Sequence, residues 1–140
     1  MAVAESLGEG RFIQFDTATT TVAIAENLIV ELDTSGDVIL PTATPEIPIG
    51  VTSTRVDART TASVKKIVVQ VSGLAAITCD ANIAATAGCF IEAGTSDGLA
   101  STAVAATTIT ATGYYRAVGK CIVPDATTTG TTVVVLLKPC

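Results

Sequence analysis

Residues 27–40 read Asn27-Leu-Ile-Val-Glu-Leu32, Asp33-Thr-Ser-Gly36, Asp37-Val-Ile-Leu40. Two short apolar runs flank an Asp/Gly turn, which is the pattern of a β-hairpin. This stretch therefore predicts two antiparallel strands joined by a tight turn.

The same alternation of short apolar runs and turn residues continues on both sides of this hairpin. Further strands are predicted at Arg11–Phe15, Thr21–Ile24, Ile49–Thr54, Val64–Val71, Leu74–Cys79, Cys89–Glu92, Tyr114–Val123 and Thr131–Lys138. One helical turn is predicted over Asp80–Gly88, with Asp80 as N-cap and Gly88 past its end. Leu99–Gly113 is expected to be a surface loop or an edge hairpin. Roughly eight to ten short strands predict an all-β fold, a single small β-barrel or sandwich.

Composition agrees with a folded β domain. The chain has 140 residues, enough for one hydrophobic core, and is 49% apolar and 15% charged, the opposite of a disordered composition. Threonine (24 copies) and alanine (22 copies) are the commonest residues. We expect residues 1–10 to form a flexible, extended N-terminal arm and residues 11–140 to form a single β domain.

The charge and polarity of the chain argue against nucleic-acid and membrane partners. Thirteen acidic residues exceed eight basic ones, and no basic cluster is larger than Lys65-Lys66. The longest uncharged stretch, Gly98–Tyr115, is mostly Thr, Ala, Ser and Gly, too polar for a membrane helix. Residues 1–9 carry acid where a signal peptide carries Lys or Arg, so synthesis and retention in a cytoplasm are expected.

Catalytic motifs are absent from the sequence. There is no histidine, no GxSxG, no GxGxxG and no phosphate-binding loop, and the carboxylates lack the spacing of a calcium loop. Asp33-Thr34-Ser35-Gly36 resembles half of an aspartic protease site, but one copy cannot supply the second aspartate, and a hairpin turn explains it better. We predict a protein that is not an enzyme, with no cofactor and no metal site. Tyr114-Tyr115 fits either a core and interface pair or a stacking platform for a ligand.

The four cysteines, Cys79, Cys89, Cys121 and Cys140, contain no CxxC pair. Their long, unequal gaps give little support to a zinc site, and a reducing compartment disfavours disulfides. We expect the first three to be small buried thiols and Cys140 to be exposed.

The order of short hydrophobic and glycine segments resembles a family of phage head proteins. The segments that carry the likeness are Asn27–Val30, Leu32–Val38, Ile49–Val51, Val68–Gly73, Ile83–Ile91 and Ala117–Cys121. They resemble the capsid decoration, or cement, proteins of tailed bacteriophages, over residues from about Arg11 to Lys138. The resemblance implies a virion protein that binds the outer surface of the assembled head, contacts the major capsid protein as a homotrimer, and stabilises the shell.

Two other functions fit the same pattern. An all-β, Thr-rich chain equally suits another virion structural protein, such as a tail-tube or fibre subunit. A carbohydrate-binding or adhesin module is the second alternative, although such modules usually carry surface aromatics and a secretion signal.

Two candidate contact regions follow from these interpretations. The N-terminal segment can add a strand to a capsid edge through its backbone, with capsid-contact candidates Glu5, Leu7, Arg11, Phe12 and Phe15. Alternatively, Phe12–Phe15 is the first strand of the domain, and only the residues before it are loose. The continuous apolar run Val133–Leu137 predicts a strand covered on both faces, with Val133, Val135 and Leu137 as subunit-interface candidates.

Overall fold

A computed structural model describes residues 10–17, 23–42, 47–58, 65–80, 83, 85–94, 97–123 and 132–138. These residues contain ten strands and one short helix. In chain order they are β1 (Phe12–Asp16), β2 (Ile29–Leu32), β3 (Val38–Ile39), β4 (Gly50–Thr52), β5 (Lys66–Gln70), β6 (Gly73–Thr78), β7 (Phe90–Ala93), β8 (Ala100–Val104), α1 (Ala111–Arg116), β9 (Ala117–Val123) and β10 (Thr132–Leu137). The predicted all-β class is confirmed.

The hairpin predicted at residues 27–40 is confirmed as β2 and β3. Leu32 pairs with Val38, and the Asp33 N–H donates to the Asp37 carbonyl at 2.9 Å. The Asp33 carboxylate accepts from the N–H groups of Ser35 and Asp37 at 2.8 and 2.9 Å, which fixes the turn. Gly36 has φ = +85°, a backbone conformation that glycine adopts without strain. The Asp-Thr-Ser-Gly sequence is thus a hairpin turn.

The first sheet has the strand order β1-β5-β4-β2-β3, with antiparallel pairing throughout. An isolated bridge between Thr17, just after β1, and Val38 in β3 brings the two edges of this sheet together. The sheet therefore curls into a half-barrel. Buried aliphatic side chains pack inside it: Ile24, Val30, Val38, Val56, Ile67 and Val69.

The second sheet has the order β6-β10-β9-β7-β8, again antiparallel. Its inward-facing side chains form the larger core, which includes Ile77, Ile91 and Val135, each 0% exposed. Ile29 and Val51 of the first sheet belong to the same core. The Ile29 N–H also donates to the Gly98 carbonyl at 2.8 Å. Shared apolar packing and backbone hydrogen bonds thus join the half-barrel to the second sheet.

The chain passes from one sheet to the other directly between β5 and β6. Gly73 has φ = +86°, and the Gln70 side-chain amide donates to the carbonyls of Ser72 and Leu74 at 3.0 and 2.8 Å. The chain can change direction sharply here because Gly73 adopts a positive φ without strain and Gln70 satisfies the carbonyls of the turn.

The only helix among the described residues is not where the sequence predicted one. Residues 80, 83 and 85–88 are not helical, and Thr86–Gly88 form a turn in which the Cys89 N–H donates to the Thr86 carbonyl at 3.1 Å. The helix is α1, in the segment between β8 and β9. Thr110 caps it by accepting from the Gly113 N–H at 3.0 Å. Within the described part of the chain, no helix has the length and apolarity needed to cross a membrane.

Candidate interaction surfaces

The predicted capsid-contact residues fall partly on β1. Glu5 and Leu7 lie outside the described residues. Arg11 is exposed and Phe12 is 44% exposed, whereas Phe15 is half-buried and packs against the core of the half-barrel. Phe12–Asp16 pairs along its whole length with β5, so this segment is a strand of the chain's own sheet.

β1 forms one edge of the first sheet, and its hydrogen-bond register defines which backbone groups are at the open side. The Arg11 carbonyl accepts from the Val71 N–H, and the Thr17 N–H donates to the Lys65 carbonyl, both at 2.9 Å. The odd-numbered residues therefore bond towards β5. The N–H and C=O groups of Phe12 and Gln14 point away from β5, to a side that no described strand pairs with, where another strand could pair with them.

The predicted subunit-interface residues occupy a different place from the one expected. Val133 and Val135 are 0% exposed and Leu137 is 4% exposed, because all three face the core between the two sheets. Side chains covered within one chain cannot contact a neighbouring copy, so these residues stabilise the fold instead. The opposite face of β10 carries Val134, which is half-buried, and Leu136, which is 47% exposed. The sequence predicted a strand covered on both faces; within a single chain the outer face stays partly open.

A cross-strand row extends from Leu136 over the outer face of the second sheet. Leu136 pairs with Leu74 on β6 and with Lys120 on β9, and Lys120 pairs with Phe90 on β7. Lys120 Nζ lies 5.3 Å from the centre of the Phe90 ring, a cation–π distance. Adjacent strands thus bring an exposed leucine, a lysine and an aromatic ring side by side.

Helix α1 adds two tyrosines to this row. The Tyr114 ring meets Phe90 edge to face, with centroids 5.5 Å apart and an interplanar angle of 76°. Lys138 Nζ lies 4.7 Å from the Tyr114 ring centre and donates to the backbone carbonyls of Tyr114 and, at 3.0 Å, Tyr115. These contacts fasten the helix to the sheet while Tyr114 remains 44% exposed and Tyr115 63% exposed.

We refer to this surface as the aromatic–lysine face: Phe90, Tyr114, Tyr115, Lys120, Leu136 and Lys138. It encloses a shallow groove of about 290 Å³. Phe90 is buried, whereas Tyr114, Tyr115 and Leu136 are exposed. Adjacent exposed apolar and aromatic groups with a few charges beside them are typical of protein-contact surfaces. The sequence pointed to Tyr114-Tyr115 as an interface or ligand pair but did not reveal that two lysines and Leu136 lie beside it. The signal that could have found them is the outward register of Lys120 and Leu136 on β9 and β10.

The structure confirms the expectation for three of the cysteines. Cys79, Cys89 and Cys121 are buried thiols, and Cys89 Sγ lies 3.0 Å from the Thr86 hydroxyl oxygen. Cys140 lies outside the described residues. Among the residues that the structure describes, no group of three or more His, Cys, Asp or Glu side chains is arranged to hold a metal ion.

Comparison with known proteins gives a fold relationship. No protein-family model matches the chain, and no curated protein sequence matches it. Among solved structures, the chain is similar to the N base of the head fiber protein gp8.5 in bacteriophage phi29, with a TM-score of 0.58 and 14% sequence identity. The match covers 91% of this chain and 95% of the phage protein's chain. The two proteins therefore share a fold across nearly their whole lengths.

Proposed function

We propose that this chain is a structural protein of a bacteriophage head, and specifically a capsid decoration protein that binds the outer surface of the assembled shell and stabilises it. The observation that carries the proposal is the fold shared with the base of a phage head fiber over 91% of this chain. The resemblance of its segment order to decoration proteins supports the same role independently. We further propose that residues 11–140 act as one β domain.

The physical basis of the proposed role is linkage between binding and stability. A protein that binds the assembled shell and not dispersed capsid subunits adds its binding free energy to the stability of the shell. Several copies around a symmetry axis multiply weak contacts into avidity. No catalytic group is required, and the chain offers contact surfaces instead.

We place the capsid contact at the N-terminal segment and the adjoining edge of β1. Exposed Phe12 can fill a pocket while the outward-pointing backbone groups of Phe12 and Gln14 pair with a strand of the major capsid protein. Exposed Arg11 adds a positive charge at the same edge, and Glu5 and Leu7 precede it in sequence. Half-buried Phe15 anchors β1 to the half-barrel core and so holds this edge in position.

We place the contact between copies of a homotrimer on the aromatic–lysine face. Leu136 and Tyr115, at 47% and 63% exposed, are the apolar groups on this face that a neighbouring copy could cover. The two lysines favour an acidic surface opposite them, and the net charge of −5 means that another copy of the chain can supply one.

Co-sedimentation with capsid shells tests the proposed role. Shells of the phage that encodes the chain, prepared without it, are mixed with the purified protein and pelleted, with dispersed capsid subunits as the comparison. Saturable binding to shells alone is expected. Deletion of residues 1–10 and the substitution Phe12→Ser should each weaken binding, whereas Thr102→Ser, an exposed position on β8 at the far edge of the second sheet, should not. Unchanged binding after both changes would move the contact to another face.

A second candidate function is a fibre subunit of the virion, which the head fiber neighbour itself favours. The two roles differ in what the chain carries. A decoration protein ends at the shell, whereas a fibre base holds a projecting structure. Electron micrographs of particles labelled through this chain distinguish a label close to the capsid surface from one at the foot of a fibre or on a tail.

A further inference from the structure

One charged side chain is buried without a full set of partners. Glu31 lies in β2 and is only 5% exposed. Its Oε1 accepts hydrogen bonds from the Thr42 N–H at 3.0 Å and from the Thr42 hydroxyl at 2.7 Å. Its Oε2 is buried and has no hydrogen-bond partner among the residues that the structure describes. Because a buried carboxylate oxygen without a donor opposes folding, a cation bound beside this carboxylate would offset part of that cost.

Glu31 lines a groove of about 450 Å³ beside the turn between β2 and β3. Its neighbour in sequence, Val30, packs inside the half-barrel, so the alternation of side chains along β2 puts Glu31 on the outer side. Ile39, its direct cross-strand partner, and Ile47 form apolar walls of the groove, and Ile47 is 55% exposed.

The groove contains a second carboxylate at its rim. Asp33 lines it as well, with one oxygen engaged by the turn N–H groups of Ser35 and Asp37. Two negative charges near an apolar surface attract a cation, and the overall charge of −5 adds to that attraction. Two carboxylates do not provide the oxygen shell that a calcium ion requires.

A long side chain that ends in a cation matches every part of this groove. The methylene stem of lysine or arginine packs on apolar surface while the charged head donates hydrogen bonds, and such charge-assisted bonds are stronger than neutral ones. We propose that this groove binds an arginine or lysine side chain of a protein partner, with the Glu31 carboxylate as the opposite charge. The inference goes beyond the role at the phage head, because it names the chemistry of the partner side chain whichever protein carries it.

Nuclear magnetic resonance titration with a minimal probe tests the proposal. The probe is N-acetyl-arginine amide, and the comparison compound is N-acetyl-citrulline amide, which has nearly the same shape but no charge. The Thr42 N–H reports on the site because it donates to Glu31. We expect saturable shifts of this resonance with the arginine compound and an affinity for citrulline weaker by about tenfold or more.

Variants separate the carboxylate from the rest of the groove. Glu31→Gln should weaken binding of the arginine compound by about tenfold, whereas Glu26→Gln, an exposed acid before β2, should leave it unchanged. Ile47→Ala keeps the carboxylate and removes part of an exposed wall, and it should weaken binding severalfold even if the Glu31 variant folds poorly.

Three results would overturn the proposal. The first is equal shifts with arginine and citrulline compounds, or the lack of any saturable shift. The second is unchanged affinity in Glu31→Gln. The third is saturation of the same resonance by calcium chloride but not by the arginine compound, which would make the groove a metal-ion site.

Discussion

Substitution of Val135 on β10 should lower the stability of the fold, whereas substitution of its neighbour Leu136 should mainly weaken association between copies. Val135 is 0% exposed in the core, and Val135→Ala removes two carbon atoms from it. At about 0.8 kcal/mol per buried methylene, plus the cavity left behind, the free energy of unfolding should fall by about 2–3 kcal/mol. Leu136 is 47% exposed, so Leu136→Lys should cost about 1 kcal/mol or less, part of it from repulsion by Lys120 directly opposite.

Urea unfolding and sedimentation velocity together measure the two effects. With a slope of about 2 kcal/mol per molar urea, Val135→Ala should lower the unfolding midpoint by about 1 M or more. Folded Val135→Ala should still associate, because its outer face is intact. Leu136→Lys should unfold near the wild-type midpoint but remain monomeric at concentrations where the proposed homotrimer predicts that the wild type associates. If Leu136→Lys unfolds as easily as Val135→Ala, the assignment of faces on β10 is wrong. If it still forms trimers, or if the wild type never does, the aromatic–lysine face is not the contact between copies.

Three further predictions concern buried polar and thiol groups. The buried Thr52 hydroxyl donates to the Ala25 carbonyl at 2.6 Å and accepts from the Leu28 N–H at 3.0 Å. Thr52→Val should therefore lower the free energy of unfolding, measured in urea, by about 1–3 kcal/mol. Thr102→Val, at an exposed position, is the control, and an equal loss in both variants would contradict this prediction. Glu31→Leu should change thermal stability little, because removing a buried carboxylate oxygen that lacks a donor offsets the loss of two hydrogen bonds from exposed Thr42, and a clear loss would mean that Glu31 is structural. The three buried cysteines should stay unreactive towards a thiol reagent in the native protein and react fully after denaturation without reductant; lack of reaction after denaturation would indicate disulfides.

The hairpin, the strand pattern and the buried thiols could be predicted because each depends on residues that are close together in the sequence. The turn at Asp33–Asp37 carries its own hydrogen-bonding side chain and a glycine at the left-handed position, so residues 27–40 specify a hairpin without help from the rest of the chain. The strand pattern and the buried thiols follow from β-branched and small apolar residues in the same way.

The helix was misplaced because short helices depend on context. Asp80 and Gly88 have the residue types of a cap and a stop, but residues 80, 83 and 85–88 are not helical, and Thr86–Gly88 form a turn. α1 has six residues with a glycine inside it, too short for helical periodicity to be visible. It is held by Thr110 at its start and by contacts of Tyr114 with a distant strand, and only the start is recognisable in sequence.

The contact surfaces could be predicted only in part, since a continuous apolar run does not reveal which alternate residues face inward. In Val133–Leu137 every position is apolar, and the packing of two sheets decides that Val135 is covered and Leu136 is not. The groove at Glu31 brings together residues from β2, β3 and the segment after them, a combination that depends on the strand pairing.

The position of this chain on the virion is the most direct test of the proposed head role. Electron cryomicroscopy of purified particles of the phage that encodes it, with density resolved well enough to trace strands, can locate the two five-stranded sheets. We predict density for this fold on the outer surface of the head, in groups of three, with β1 against the shell and the aromatic–lysine faces meeting between copies. Density for this fold on the tail, or heads that lack it while the protein is abundant in infected cells, would contradict the proposed function.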